Sequence, residues 1–92
     1  MNRFRADMMR YYIDTNIYDP SKYRDYDRNQ KLQIQRGLES GVDVGIYANP
    51  VYTGQQMWQI RLGLESGLDV SVYADPSYDY EQMEEIREDL EF

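Results

Sequence analysis

The sequence predicts an all-α domain, a small stacked array of helices and short helical turns closed by a polar C-terminal cap. Three observations predict it. The phrase "IQRGLESGVDVGIYANPVY" at 34–52 returns as "IRLGLESGLDVSVYADPSY" at 60–78, an offset of 26 residues. A helix-start spacing, a capping residue followed three positions later by Gln, occurs at Asp27/Gln30, Thr53/Gln56 and Asp79/Gln82. Apolar residues follow each start at helical spacing. Self-similarity of this period marks units that bury their apolar faces by stacking.

The helix starts come first. A side-chain oxygen at N-cap and a Gln at N3 satisfy each other's backbone amides, the reciprocal arrangement of a capping box. Tyr26, Tyr52 and Tyr78 precede the caps, and Met57 and Met83 stand at N4, where a hydrophobic staple forms. The ends of the first two helices are marked by "ESG" at 39–41 and 65–67. Gly41 and Gly67 suit the left-handed residue after a helix, and Val42 or Leu68 then packs back on the last turn. Asp43 and Asp69 cap a second, shorter turn, "DVGIYA" or "DVSVYA", stopped by Pro50 and Pro76. The competing reading makes Leu68, Val70, Val72 and Ala74 a strand of period two. The short helical turn is favoured, because Asp after a Gly cap is a natural new N-cap.

Equivalent positions then define the packing. Met57, Ile60 and Leu64 recur as Met83, Ile86 and Leu90, and as Ile34 and Leu38, one buried stripe per helix. Trp58 and Leu62 form a second stripe in the middle helix, which predicts that it is covered on both sides. Their counterparts Glu84 and Glu88 turn the last helix toward water. Gly37 and Gly63 inside helices cost about 1 kcal/mol each relative to Ala, and close approach of a neighbouring backbone is the expected reason. The predicted organisation is one domain over 1–92, with a divergent segment at 1–26, units at 27–52 and 53–78, and a capping half-unit at 79–92.

Composition narrows the function classes. Ninety-two residues with ten Tyr, one Trp and 41% hydrophobic residues make a folded domain rather than a solvated tail. There is no Cys and no His, which removes disulfides, thiolate metal sites and the commonest general base near neutral pH. Catalysis would then need paired carboxylates, Lys or Tyr in an enclosed pocket, which so short a chain hardly provides, so no enzymatic activity is expected. Ser40, Ser66 and Ser71 fall at turn positions and do not read as nucleophiles. "DVSVYAD" lacks the spacing and closing Glu of a calcium loop, so neither a metal nor a cofactor is expected. No apolar run approaches the roughly 18 residues of a membrane span. The expectation is a cytoplasmic protein of a bacterial host cell.

The motif carried by Gln56 to Pro76, "QMWQIRLGLESGLDVSVYADP", and more loosely by Gln30 to Pro50, resembles a short repeat of Gram-positive anaerobic bacteria, their phages and mobile elements. The likeness implies a mobile-element setting, where small acidic proteins often block a host protein. It implies no catalytic role.

Charge then points to where function resides. The net charge is −7. Residues 1–36 hold eight of the ten Lys and Arg against five Asp, whereas residues 37–92 hold only Arg61 and Arg87 against twelve carboxylates. Two candidate surfaces follow. Arg10, Tyr11, Tyr12, Tyr23 and Arg24 combine the residue types that dominate interface hot spots. Glu84, Glu85 and Glu88 belong to an acidic close suited to filling a basic nucleic-acid groove. The leading expectation is contact with a larger host protein, such as a CRISPR-type defence effector. A nucleic-acid mimic and a structural adaptor that dimerises through Trp58 and Leu62 are the alternatives. The Asp residues among the basic aromatics argue against direct nucleic-acid binding.

Overall fold

The computed structural model describes residues 23–92. Among them lie three α-helices, α1 (Arg28–Ser40), α2 (Gly54–Glu65) and α3 (Tyr80–Glu91), and two 3-10 turns, Val44–Ile46 and Val70–Val72, with no strand. The architecture of the described residues is all-α. The alternating apolar residues 68–74 form a turn rather than a strand, because the Asp69 carboxylate accepts the Ser71 N–H at 3.2 Å and the Val70 carbonyl accepts the Ala74 N–H at 2.7 Å.

The helices begin and end on the residues that the sequence marks. In α1 the Asp27 N–H donates to Gln30 Oε1 at 2.7 Å, and the Gln30 N–H donates back to the Asp27 carboxylate at 2.7 Å. Thr53 with Gln56 and Asp79 with Gln82 repeat the exchange. Gly41 and Gly67 adopt φ of 85° and 75°, the left-handed region open to Gly without a Cβ penalty. The N–H of Val42 then reaches the Gly37 carbonyl at 3.1 Å, and that of Leu68 the Gly63 carbonyl at 2.9 Å, which satisfies carbonyls the helix end would otherwise orphan.

A second function of the capping glutamines sets the helices side by side. Gln30 Nε2 donates to the carbonyls of Tyr52 at 2.6 Å and Pro50 at 3.3 Å, just ahead of α2. Gln56 Nε2 does the same to Tyr78 at 2.6 Å and Pro76 at 3.2 Å, just ahead of α3. The start of each helix therefore lies against the start of the one before it, and the three helices run parallel with α2 in the middle. A second tie sits one turn higher, where Arg61 Nε donates to Gln33 Oε1 at 3.0 Å and Arg87 Nε to Gln59 Oε1 at 2.9 Å. Gln30, Gln33, Gln56 and Gln59 are all at most 7% exposed, and among the described residues no buried side-chain polar atom lacks a partner. Burying an amide costs little once its donors and acceptors are bonded.

The core lies between this helical layer and the two 3-10 turns. Ile34, Met57, Ile60 and Met83 from the helices and Tyr47 and Tyr73 from the turns are fully buried. The reason for Gly37 and Gly63 differs from the expected one. No neighbouring backbone crowds them. The Tyr47 hydroxyl lies over Gly37 and donates to the Gln33 carbonyl at 2.6 Å, and the Tyr73 hydroxyl lies over Gly63 and donates to the Gln59 carbonyl at 2.6 Å. A Cβ on either Gly would fall on that hydroxyl and meet a Val44 or Val70 methyl at 2.7 Å. In α3 the equivalent residue is Asp89, exposed, with no tyrosine of the described residues seated on it.

Trp58 is not buried, contrary to the covered middle helix that its spacing predicts. It is 44% exposed and Leu62 is only half-buried, so the middle helix is covered on its inner face and flanks but not on the side these two residues form. The turns occupy one side of the helical layer only, and nothing among the described residues covers the other.

Three measurements check this account. Gly63→Ala should destabilise by about 1–3 kcal/mol, the overpacking cost, in spite of alanine's helix preference. Tyr73→Phe should relieve part of it, so urea melts of the double variant should fall short of the summed single effects. Gln56→Glu keeps the capping acceptor but loses the donor to Tyr78 and Pro76 and faces both carbonyls with negative charge. It should cost about 2–3 kcal/mol, while Gln82→Glu, whose side chain serves only its own cap, should stay within about 0.5 kcal/mol of wild type. Burial pushes the Tyr73 hydroxyl up to about 12 and raises that of Tyr47 as well. A phenol bound more tightly to its proton when folded contributes stability below its ordinary value near 10, and that contribution is lost as pH rises toward 12. Denaturation midpoints should therefore fall across that window, with late-titrating tyrosinate absorbance appearing together with loss of helical circular dichroism.

Candidate protein-contact surface

The side of the helical layer away from the 3-10 turns is assembled from equivalent rows. One row is Leu32, Trp58 and Glu84, and the next, one turn on, is Arg36, Leu62 and Glu88. Positions four apart stack on one helix face, and the opposite face of each helix holds the buried Ile34, Ile60 or Met83. These outward rows, with Leu62 and Glu84 half-buried and the other four residues exposed, therefore lie across three parallel helices as one continuous surface. Leu32 is 40% exposed beside Trp58.

This surface changes character from one helix to the next. On α1 it carries Arg28 and Arg36, with Glu39 in the last turn, all three exposed. On α2 it is apolar, with Trp58 and Leu62 flanked by the Arg61–Glu65 ion pair at 2.7 Å. On α3 it carries Glu81, Glu84 and Glu88. The one basic residue of α3, Arg87, is committed to Glu91 at 2.8 Å and to Gln59, and neutralises none of the three. Glu85 and Asp89 add charge on the open flank of α3. Glu85 stands where Gln33 and Gln59 accept an arginine Nε from the following helix, so in α3 that acceptor position is a carboxylate facing outward. The helix thus presents six carboxylates on twelve residues, held in place by the Met83 anchor in the core.

The residues singled out in the sequence are placed unequally. Arg10, Tyr11 and Tyr12 lie outside the described residues. Tyr23 is only 6% exposed and meets Tyr26 edge-on with ring centroids 5.4 Å apart. It is part of the core rather than an exposed anchor, since its ring completes the packing ahead of α1. Arg24 is exposed at the same end. Glu84, Glu85 and Glu88 come together on α3, at the far side of α2 from Arg24. The expected Tyr/Arg cluster is therefore not a surface unit at Tyr23, whereas the acidic group is one helix. Sequence reasoning missed the exposed Leu32–Trp58 row. Its signal was present, because a buried row does not continue as Glu84.

The other exposed features hold little chemistry. A shallow groove lies between Ile46 and the second 3-10 turn, and its polar groups Asp69 and Ser71 are bonded to each other at 2.6 Å. That hydroxyl holds the Asp69 carboxyl below its ordinary range, and the Ser77 N–H does the same for Asp75. Both shifts belong to turns that fix the backbone. Among the described residues no three potential ligands gather to hold a metal ion, and no helix is long and apolar enough to cross a membrane. Comparison with protein-family models, with curated proteins and with solved structures finds no match to this chain.

Proposed function

We propose that this protein is a non-enzymatic protein-interaction module of a phage or mobile element that inhibits or modulates a larger host protein. The reading rests on one observation. Helix α3 is an acidic helix whose only arginine is already engaged, and it is clamped rigidly to α2 by Gln56 and Arg87. Glu81, Glu84 and Glu88 follow one another at about 5–6 Å along one face. A line of fixed negative charge competes for a Lys/Arg groove built to track nucleic-acid phosphates, and the ordering cost has been met in folding. The target class this favours is a nucleic-acid-binding host effector, with CRISPR-type defence proteins the leading case. Contact through Arg10, Tyr11 and Tyr12 remains compatible with the same role. The adaptor reading is favoured by a separate observation, the exposed Trp58.

A pull-down from host lysate with wild type and with the Glu84→Gln, Glu85→Gln, Glu88→Gln triple variant tests the reading. Wild type should recover a larger basic protein whose binding weakens steeply between low and physiological salt, because exposed charges are screened beyond a Debye length of about 8–10 Å. The triple variant, still folded by circular dichroism, should lose it. Recovery that is equal for both proteins, or abolished instead by Tyr11→Ala with shallow salt dependence, would transfer the contact to the N-terminal segment. Recovery of nothing larger than the protein itself would remove the inhibitor role.

A further inference from the structure

The outer face of the helical layer is complementary to itself. Its two ends have opposite net charge, Arg28 and Arg36 against Glu39 on α1 and Glu81, Glu84 and Glu88 on α3, and its middle is the apolar pair Trp58 and Leu62. We infer that this face is the contact between two copies of the chain, related by a two-fold axis that runs along α2.

Charge selects that axis. A rotation about the α2 direction lays α1 of one copy over α3 of the other and keeps the helices parallel. Residues 36, 62 and 88 share a register, so Arg36 of one copy comes level with Glu88 of the second, and the reverse pair forms at the other edge. Trp58 and Leu62 then meet their own counterparts at the centre. A two-fold axis perpendicular to the helices would instead set α1 on α1 and α3 on α3, placing like charges together, which costs several kcal/mol in an interface. Isologous pairing of this kind is the commonest way in which a soluble chain self-associates. An aromatic centre with charged pairs at its rim is also the usual layout of an energetically effective contact.

The size of the face bounds the strength. Three helices of about 18 Å spaced about 9 Å apart offer roughly 500 Å² per copy, or about 1,000 Å² in all, the lower end for a specific interface. The dimer is therefore weak and concentration-dependent. It covers Glu84 and Glu88 and leaves Glu85 and Asp89 free, so a dimer and a complex through the outer face of α3 exclude each other. The inference stands whether or not α3 has a host target.

Sedimentation velocity over a wide concentration series tests it, with the emission of the single tryptophan as an independent reporter. Wild type should pass from monomer to dimer as concentration rises, and the Trp58 emission should shift to the blue over the same range. Arg36→Glu and Glu88→Arg should each weaken association about tenfold or more. The double variant Arg36→Glu/Glu88→Arg restores opposite charge across the same axis and should return to near wild-type association. Trp58→Ala should abolish association with the helical circular dichroism unchanged. A wild type that stays monomeric throughout overturns the inference. So does a dimer whose single charge reversals are not rescued by the double exchange.

Discussion

The bond from a capping glutamine to the carbonyls ahead of the next helix is the constraint on which the rest of this structure depends. Gln30 and Gln56 each close their own capping box and hold the start of the following helix alongside. Adjacent helices joined by short loops usually run antiparallel. Here the chain returns through a 3-10 turn and an extended stretch before a new helix begins, and the glutamine amide fixes where that return ends. Parallel helices align their dipoles, so all three N-terminal ends lie on one edge and all three C-terminal ends on the other. Asp27 and Asp79 suit the positive edge. The last turns contain no basic residue, and Glu39, Glu65 and Glu91 stand there instead. Arg61 and Arg87 offset part of that repulsion by pairing with Glu65 and Glu91 from one turn below.

A second constraint keeps so thin a fold cohesive. With one layer of helices and a layer of turns, there is little room for a core of aliphatic residues alone. Tyr47 and Tyr73 fill the space with large rings and resolve their own polarity on the Gln33 and Gln59 carbonyls. Those carbonyls are reachable only where the helix lacks a side chain, so the phenol requires the glycine. Two unfavourable choices, a glycine within a helix and a buried hydroxyl, are tolerable only because each removes the penalty of the other.

These dependencies explain how much the sequence disclosed. Everything local was legible. The caps at Asp27, Thr53 and Asp79, the left-handed glycines, the Asp43 and Asp69 turns and most of the buried stripe follow from neighbours within a few residues; Leu90, expected in that stripe, is 38% exposed, because among the described residues no turn packs over the last turns of α3. What failed were statements about partners distant in the chain. The occupant of the space over Gly63 is a tyrosine ten residues away, and no spacing rule links them. The donation by the Gln56 amide is invisible in the sequence because its acceptors lie 20 and 22 residues on. An aromatic at helical spacing is usually buried, which puts Trp58 under cover on the sequence alone, and the sequence does not state how many layers a fold has. Tyr23 differs for the opposite reason, since composition identifies hot-spot residue types without saying which side of the backbone meets water.

Repetition conserves what neighbouring segments demand of each other, and positions that answer to no neighbour are free to differ. The inner positions Ile34, Ile60 and Ile86, and the glutamines Gln30, Gln56 and Gln82, repeat closely. The outer positions do not. They run Leu32, Trp58, Glu84 in one row and Arg36, Leu62, Glu88 in the other. If solvent alone faced these rows, polar residues on all three helices would serve, and a half-exposed tryptophan between an arginine and a glutamate would have no structural reason. A face ordered from basic through apolar to acidic is instead a surface with a direction. A surface that complements it presents the reverse order, and the same face of a second copy, turned about α2, does so.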